Sequence, residues 1–256
     1  MKLYVCIKQV PDVDAPIQIK NGTLIQDTDR MVLNAYDASA VEEALVLTEE
    51  HEGEVEVVMV GPEGSKETIR KALAMGADKA THIQTDGDVD YNSATYAKIL
   101  ATFFEDKEYD IIACGKQSQD TDAGLAGSMM AEHLNLPYAT NAVGLSIEDS
   151  NLIVKRQGDA GQEIIELPSS CLVTCSNDMN EPRIPSLKGI MKSKKKPMET
   201  VELSDLDIAE EDIKPNTKVT GHMEKPEREP GQKFEGDPEE LAQKVANLLD
   251  EEANVI

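Results

Sequence analysis

The first half of the chain alternates short apolar runs with helical patterns, and this alternation restricts the fold more than any other feature. Strand-length apolar runs lie at 3–7, 55–60, 79–83 and 110–114, and a helical pattern follows each of them. A short, continuously apolar run is typical of a strand buried on both faces, and strands that alternate with helices form parallel sheets. Residues 1–137 are therefore predicted to form a doubly wound, mostly parallel α/β sheet.

Several local signals refine this prediction. Asn21-Gly22 predicts a hairpin turn between 17–19 and 24–25, and Gly76 marks the end of a helix over 65–75 with Ser65 as its cap. Asp37 or Ser39 is expected to cap the helix that begins near residue 35. Further strands are predicted at 141–145, 152–156, 163–167 and 171–174, which adds a β-hairpin to the sheet.

The large negative charge of the chain disfavours partners that are themselves negatively charged. The chain has 25 basic and 49 acidic residues, a net charge of −24, which disfavours nucleic acid and anionic membranes as partners. Its longest apolar runs are of strand length, so membrane insertion is not expected and a cytoplasmic location is predicted. No cysteine pair has CxxC spacing and no His has ligand spacing, so buried thiols and no metal site are expected at Cys6, Cys114, Cys171 and Cys175.

The last third of the chain has a different composition. Residues 177–198 contain three prolines and end in a basic run, which predicts an exposed loop. Residues 201–235 are acidic and poor in core residues, so they are predicted to be disordered or to lie along another protein. Asp237 and Pro238 open an amphipathic helix that is expected to dock on a partner subunit. The predicted division is a domain over 1–200 and a docking arm over 201–256.

One strand, loop and helix unit has the composition of an anion site. The loop after the strand at 110–114 contains Asp120 and Asp122, then the small residues Gly124, Ala126 and Gly127, and a helix follows. Unpaired N–H groups and the helix dipole favour an anion at such a helix start. The same unit is common in α/β proteins without a ligand, so a structural role stays open. Residues 8–12 follow the first strand and are predicted to form a wall of the site.

Motifs for catalysis are missing from the sequence. It contains no GxSxG, GxxxxGK[ST] or GxGxxG pattern. Asp120 and Asp122 have the chemistry of an acid and a base, but bonding to loop N–H groups or to ribose hydroxyls is the more usual role. The sequence therefore predicts a nucleotide-like pocket, no catalytic residues and no enzymatic activity of its own.

An ordered set of motifs resembles the small (beta) subunit of the electron-transfer flavoprotein family and covers nearly the whole chain. The motifs are VCIKQVPD at 5–12, LNAYDASAVEEAL at 33–45, VMVGP at 58–62, ETIRKALAMGADKA at 67–80, CGKQSQDTD at 114–122, VKRQGDAGQEIIELPSSCLVTC at 154–175 and NEPRIPSLKGIMKSKKKP at 180–197. The order of seven motifs is far more specific than any one of them.

The resemblance implies an adenine-nucleotide alpha-hydrolase-like fold that buries AMP and pairs with a larger alpha subunit, which holds most of the FAD. Such a heterodimer accepts electrons from flavin dehydrogenases and passes them to a quinone oxidoreductase. By resemblance, Leu187 contacts a pocket on the partner dehydrogenase, and the C-terminal arm wraps the alpha subunit. The residues that the resemblance places around AMP are Cys6, Asn34, Ala35, Tyr36, Asp37, Val60, Gly115, Lys116, Gln117, Ser118, Gln119, Asp120, Thr121, Asp122, Ala123, Gly124, Leu125 and Ala126.

One departure from the family pattern leaves the ligand open. Family members commonly carry Asn, Gln or Thr side chains near the phosphate, whereas residues 123–126 here are Ala, Gly, Leu and Ala. The phosphate would then depend on backbone N–H groups. An alternative is an electron-bifurcating relative that holds a second FAD in place of AMP. Another is a stand-alone, nucleotide-binding stress-type protein, for which the arm and terminal helix would have no purpose.

Overall fold

The computed structural model describes residues 1–25, 30–87, 91–224, 226 and 230–251. The chain divides into two compact units, Met1–Gly221 and a second unit that begins at His222. The strands are β1 Lys2–Ile7, β2 Gln9–Pro11, β3 Gln18–Lys20, β4 Thr23–Ile25, β5 Met31–Leu33, β6 Glu54–Gly61, β7 Lys79–Gln84, β8 Ile111–Gly115, β9 Tyr138–Glu148, β10 Asn151–Gly158, β11 Gly161–Leu167, β12 Cys171–Cys175 and β13 Met198–Glu202. The α-helices are α1 Ala35–His51, α2 Lys66–Met75, α3 Ser93–Phe104, α4 Ala126–His133, α5 Leu187–Ser193 and α6 Pro238–Glu251.

A nine-stranded sheet forms the centre of the first unit. Its order is β11-β10-β9-β12-β8-β1-β6-β7-β13, and every neighbouring pair from β9 to β13 is parallel. β10 runs antiparallel to both β9 and β11, which confirms the added hairpin. β3 and β4 pair around the Asn21-Gly22 turn, as predicted. The doubly wound α/β fold predicted from the alternation is confirmed.

Two apolar clusters cover the two faces of the sheet. The first cluster contains residues of α1 and α2, and the second contains residues of α3 and α4. Cys171 and Cys175 lie in the first cluster, whereas Cys6 and Cys114 lie in the second. All four thiols are free and buried, as expected. Because helices cover both faces of the central strands, a ligand of these strands is expected at their ends.

One predicted helix cap is wrong, and a second is confirmed in position but makes no capping bond. Asn34, rather than Asp37 or Ser39, is the N-cap residue of α1, and its side chain does not bond to the helix start. Ser65 occupies the N-cap position of α2 but makes no capping bond. Long-range partners override these local preferences, because the side chains of Asn34 and Asp37 both bond to segments distant in sequence. Gly76 does follow the end of α2, at a φ of 156°.

The first unit continues past the boundary expected at residue 200. That boundary lies inside β13, which pairs with β7 from Met198 to Glu202. Leu203, Leu206, Ile208 and Ile213 then pack against the second apolar cluster, so this stretch adds to the core. The expected loop over 177–198 is also partly helical, since it contains α5.

The second unit contains the predicted terminal helix. Asp237 Oδ1 accepts the N–H of Glu239 at 3.0 Å, which confirms Asp237 as the cap of α6. Lys244 Nζ lies 4.2 Å from the ring centroid of Phe234. In the described ranges, no helix has both the length and the hydropathy that crossing a bilayer requires.

Candidate functional site

The strand order reverses beside β1, and we use the term crevice for the region at the carboxyl ends of β1 and β8. β6 and β7 lie on one side of β1, whereas β8 and β12 lie on the other. The connections after β1 and β8 therefore lead away from each other, and ligands of open α/β sheets bind at such a switch point. Lys8 follows β1 and the loop 116–125 follows β8, so both segments border this crevice.

Asp37 connects the ends of the two central strands. Its Oδ2 accepts the N–H of Lys8 at 2.7 Å, and its Oδ1 accepts the N–H of Gly115 at 2.9 Å. Gly115 is required here, because a Cβ would lie 2.6 Å from Tyr36 Cβ. Burial raises the pKa of the Asp37 carboxyl to about 7, against the effect of these two bonds, which favour the ionised form. Asp37 thus fixes the spacing of the switch point.

Asn34 fixes the loop after β8 to the start of α1. Its Nδ2 donates to the carbonyl of Gln117 at 2.9 Å, and its Oδ1 accepts the N–H of Gln119 at 3.1 Å. Gln119 returns the contact, since its Oε1 accepts the N–H of Ala35 at 3.0 Å. The two segments that the resemblance places around AMP, 34–37 and 115–126, are therefore joined by direct bonds.

The loop also has bonds of its own. The N–H of Ser118 donates to the carbonyl of Ala123 at 3.0 Å, and the N–H of Asp122 donates to the carbonyl of Ser118 at 2.8 Å. Asp122 adopts a φ of 53°, and its Oδ1 accepts Gln117 Nε2 at 3.1 Å. The Asp122 carboxylate is thus bonded within the loop, but its donor is the side-chain amide of Gln117 rather than a backbone N–H group.

The small residues after the loop serve close packing. A Cβ on Gly124 would lie 2.9 Å from the carbonyl oxygen of Lys116. A Cβ on Gly127 would lie 2.7 Å from both Cys114 Sγ and the Cγ2 atom of Thr174, so this glycine lets α4 approach the sheet. Leu125, in contrast, is exposed. At least two of the three small positions are thus explained by internal contacts.

Lys8 was expected only to border the site, but its side chain bonds directly to residues of the loop after β8. Its Nζ lies 2.8 and 3.0 Å from the two carboxylate oxygens of Asp120 and 2.9 Å from Ser118 Oγ. Ser118 Oγ also bonds to Asp120 Oδ1. The position of Lys8 directly after a buried strand was a usable signal, but its partners lie more than a hundred residues away in sequence.

The remaining predicted residues lie in the core or in the loop after β8. Cys6 and Val60 are buried in the second apolar cluster, close to the carboxyl ends of β1 and β6. Lys116 lies at the loop start, with its Nζ 5.6 Å from the ring centroid of Tyr36. The loop side chains of Thr121 and Ala123 are exposed. Burial raises the pKa of Cys6 well above the ordinary thiol value, so its side chain is protonated and apolar in character.

Leu187 lies in the recognition segment, which we define as residues 177–198. It is the first residue of α5 and is 77% exposed. Ser186 Oγ caps this helix by accepting the N–H of Gly189 at 3.0 Å. Ile184 and Met191 are exposed as well and form with Leu187 an exposed set of large apolar side chains. Large exposed apolar side chains in one short segment are typical of a contact surface.

Ion pairs and carbonyl contacts hold both ends of the recognition segment. Arg183 bonds to Glu42 at 2.9 Å and to Glu49 at 2.6 Å, and these carboxylates raise the pKa of its guanidinium. At the other end, Lys196 Nζ donates to three carbonyl oxygens at 2.6 to 3.0 Å, and Arg70 Nη1 donates to the carbonyl of Ser193 at 2.6 Å. The exposed middle of the segment is thus supported by fixed ends.

The described residues contain no group of three or more His, Cys, Asp or Glu side chains arranged to hold a metal ion. His82, one of the few titratable groups in the core, bonds through Nε2 to the carbonyl of Gly61 at 2.9 Å. Burial lowers its pKa, so it is a neutral packing residue at ordinary pH.

The geometry defines a doubly wound α/β protein with bonded polar loops at its switch point and exposed apolar side chains in the segment 177–198. The family model described as "Electron transfer flavoprotein domain" matches residues 22–206. The chain therefore belongs to the electron transfer flavoprotein family, and its resemblance to the beta subunit is confirmed by the relatives.

Three relatives illustrate the similarity. The electron transfer flavoprotein subunit beta of Bacillus subtilis is 37% identical over 257 residues, which covers 100% of both chains. The subunit beta of Thermoanaerobacterium thermosaccharolyticum is 34% identical over 254 residues, or 97% of this chain and 98% of the relative. Subunit CarD of the caffeyl-CoA reductase-Etf complex of Acetobacterium woodii is 38% identical over 216 residues, or 82% of both chains.

Proposed function

We propose that this chain is the beta subunit of a cytoplasmic, heterodimeric electron carrier. It pairs with an alpha subunit, accepts electrons from flavin dehydrogenases and passes them towards a quinone oxidoreductase. The observation that carries the proposal is the similarity to the Bacillus subtilis subunit beta along the whole of both chains. FAD, held mostly by the alpha subunit, supplies the redox chemistry. This chain supplies binding and docking and has no catalytic residues of its own.

We infer that the crevice holds AMP as a structural ligand. Support comes from the bonds that join 34–37 to 115–119, because they fix two backbone segments at the carboxyl ends of neighbouring strands. Fixed backbone groups bind a nucleotide without loss of loop entropy. The buried, protonated Cys6 and the apolar Val60 suit contact with an uncharged base rather than with a phosphate.

The recognition segment is the proposed contact with the dehydrogenase. Leu187 is exposed between anchored ends, and Lys188, Lys192, Lys194 and Lys195 follow it closely in the sequence of a chain whose net charge is −24. An exposed apolar side chain in a basic segment suits a partner with an apolar pocket and acidic residues near it. By the same proposal, residues 201–256 include the arm that docks on the alpha subunit.

A second candidate is the small subunit of an electron-bifurcating flavoprotein, with a second FAD in place of AMP. The similarity to CarD, a subunit of a caffeyl-CoA reductase-Etf complex, favours this candidate. A stand-alone nucleotide-binding protein of the stress type is a third, and it would need no partner.

Release of ligands from the purified heterodimer separates these candidates. The chain is co-expressed with the alpha subunit, the complex is denatured, and AMP and FAD are counted by chromatography. The simple carrier gives one AMP and one FAD per heterodimer, whereas the bifurcating form gives two FAD and no AMP. The chain purified alone should be colourless, and failure of any larger flavoprotein to co-purify with it would support the stand-alone candidate.

A further inference from the structure

The side chain of Asp120 lies in a small cage of donors at the crevice. Lys8 Nζ approaches its two oxygens at 2.8 and 3.0 Å, Ser118 Oγ bonds to its Oδ1, and Thr121 Oγ1 lies 3.4 Å from the same atom. One ammonium group and two hydroxyl groups therefore converge on one carboxylate. The Lys8 and Asp120 side chains are 30% and 19% exposed, so the cage opens to solvent.

One ammonium group and two hydroxyl groups are donors of the kind that bind phosphate in proteins. Lysine binds phosphate as a compact charge with three donors, and hydroxyl groups supply further bonds to the phosphate oxygens. A carboxylate presents two oxygens with one negative charge, so it is a partial substitute for a phosphate. Residues 123–126 are Ala, Gly, Leu and Ala, so they bring no side-chain donors. A phosphate would therefore need side-chain donors from another segment, which supports a phosphate site at Lys8.

The location of the cage fits a nucleotide in the crevice. Lys8 directly follows β1, and its own N–H donates to Asp37 at 2.7 Å, so its backbone is held at the switch point. Ser118 and Asp120 belong to the loop that follows β8, whose backbone is bonded to Asn34. A phosphate in contact with Lys8 Nζ would thus lie between the two segments that the proposed AMP site contains.

We propose that Lys8 is a phosphate-binding residue of the crevice and that Asp120 is its internal counter-ion, which yields the position when a phosphate arrives. This inference rests on the proposed binding of AMP. It predicts that substitutions of Lys8 and of Asp120 change the affinity for the nucleotide in opposite directions. Removal of the Lys8 charge weakens the hold on the phosphate, whereas removal of the Asp120 charge eliminates a competitor and strengthens it. A pair that only held the loop in shape would weaken binding whichever member was changed.

The test is a calorimetric titration of the nucleotide-free heterodimer with AMP and with adenosine, which lacks the phosphate. We expect Lys8→Met to lower AMP affinity roughly tenfold or more, as for loss of a charge-assisted bond, and to change adenosine affinity less than about twofold. Asp120→Asn should raise AMP affinity by about threefold or more and leave adenosine affinity nearly unchanged. The ratio of the two affinities therefore isolates the phosphate.

Lys79 and Glu54 provide a matched control pair. Their Nζ to Oε2 distance is 2.9 Å and the Lys79 side chain is 32% exposed, but the pair lies at the amino ends of β6 and β7, on the opposite edge of the sheet. Lys79→Met and Glu54→Gln should leave the AMP to adenosine ratio unchanged. A change of the same size in the control pair would attribute the effect to net charge and overturn the inference.

Two further outcomes contradict the inference. Equal losses of AMP and adenosine affinity in Lys8→Met would show that Lys8 only supports the loop. Weaker AMP binding in Asp120→Asn would show that Asp120 does not compete with the phosphate, and this variant decides the matter even if Lys8→Met fails to fold. Failure of the unmodified heterodimer to bind AMP at all would instead refute the proposed ligand, so the two failures are distinguishable.

Discussion

The crevice and the recognition segment use polar contacts in opposite ways. In the crevice, Asn34 and Asp37 are buried, and their bonds join the same loops that would contact a ligand. In the recognition segment, the bonds of Arg183 and Lys196 lie at the two ends, while Leu187 between them is exposed.

In the crevice, the same residues should therefore determine both the stability of the fold and the binding of a ligand. In the recognition segment, different residues should determine stability and partner binding. A change in the crevice removes bonds that hold the central strands, so it should affect the fold and the ligand together. A change at the tip of the recognition segment removes no internal bond and should affect only a partner. We expect substitutions in the two regions to differ in their effect on the free energy of unfolding, with the largest losses in the crevice.

Asp37→Ala should have the largest effect. It leaves the N–H groups of Lys8 and Gly115 without their acceptor at the end of two central strands, and we expect a loss of about 3 kcal/mol in the free energy of unfolding. Urea denaturation measures this loss. Glu132→Ala on the exposed side of α4 is the control, with an expected change within about 0.5 kcal/mol. A loss for Asp37→Ala no larger than that of the control would mean that the strand ends hold their spacing without Asp37.

The pH dependence of stability should reveal the buried carboxyl of Asp37. Its pKa is raised to about 7 in the folded protein by burial, from about 3.9 in an unfolded chain. The stabilisation from protonated Asp37 is therefore complete below about pH 4 and is lost as the pH rises through 7. The free energy of unfolding, compared with that of Asp37→Asn, should fall by about 2 kcal/mol between about pH 5 and about pH 8.

Urea denaturation of both proteins at the two pH values checks this prediction, and the comparison with Asp37→Asn removes the contribution of other titrating groups. A constant difference between the two proteins would indicate that the two N–H bonds keep Asp37 ionised throughout this range.

Arg183→Met should have an intermediate effect. It leaves the buried carboxylate of Glu42 without its guanidinium partner, and we expect a loss of roughly 1 to 2 kcal/mol. The recognition segment should also become more susceptible to limited proteolysis, because one of its fixed ends is released. Lys195→Met, at an exposed position near the other end, is the control. Unchanged proteolysis in Arg183→Met would show that the Lys196 and Arg70 contacts suffice to hold the segment.

Leu187→Ala should have the smallest effect on stability and a clear effect on function. We expect a change within about 0.5 kcal/mol in the free energy of unfolding and normal flavin content in the heterodimer, because the side chain is exposed. The affinity for a cognate flavin dehydrogenase should fall roughly tenfold, as for loss of an apolar anchor. Steady-state electron transfer measures this, with the exposed Val13→Ala as control. Identical kinetics for Leu187→Ala and the unmodified heterodimer would remove Leu187 from the contact.

Most of the sheet could be predicted because each strand can be recognised from its own short stretch of sequence. A buried parallel strand is a continuous apolar run, and Asn21-Gly22 specifies a turn by its own backbone preference. β13 was missed because its sequence, METVE, is short, has no period-two alternation and resembles the acidic tail that follows, although β13 is an edge strand. α5 was missed because it is short and follows a proline, although Ser186 carried a capping signal.

The site was predictable in outline but not in its bonds. The loop glycines and the turn after β1 indicated which strand ends form the crevice. The role of Asp37 was not visible, because local preference makes an Asp near a helix start a cap and only the fold brings Lys8 and Gly115 to its carboxylate. The Lys8 to Asp120 pair spans 112 positions, so no spacing rule connects its members. Contacts of this range are determined by topology, and topology was predicted only at the level of strand alternation.

The four buried cysteines can show which face of the sheet becomes exposed when the protein unfolds. Cys6 and Cys114 lie beneath one layer of helices, Cys171 and Cys175 beneath the other, and none forms a disulfide. Burial raises the pKa of Cys171 to about 12 and those of the other three thiols well above the ordinary value. An alkylating reagent therefore reacts only when a helical layer lifts from its face. The order in which the two pairs acquire label would reveal which side of the sheet separates first during unfolding.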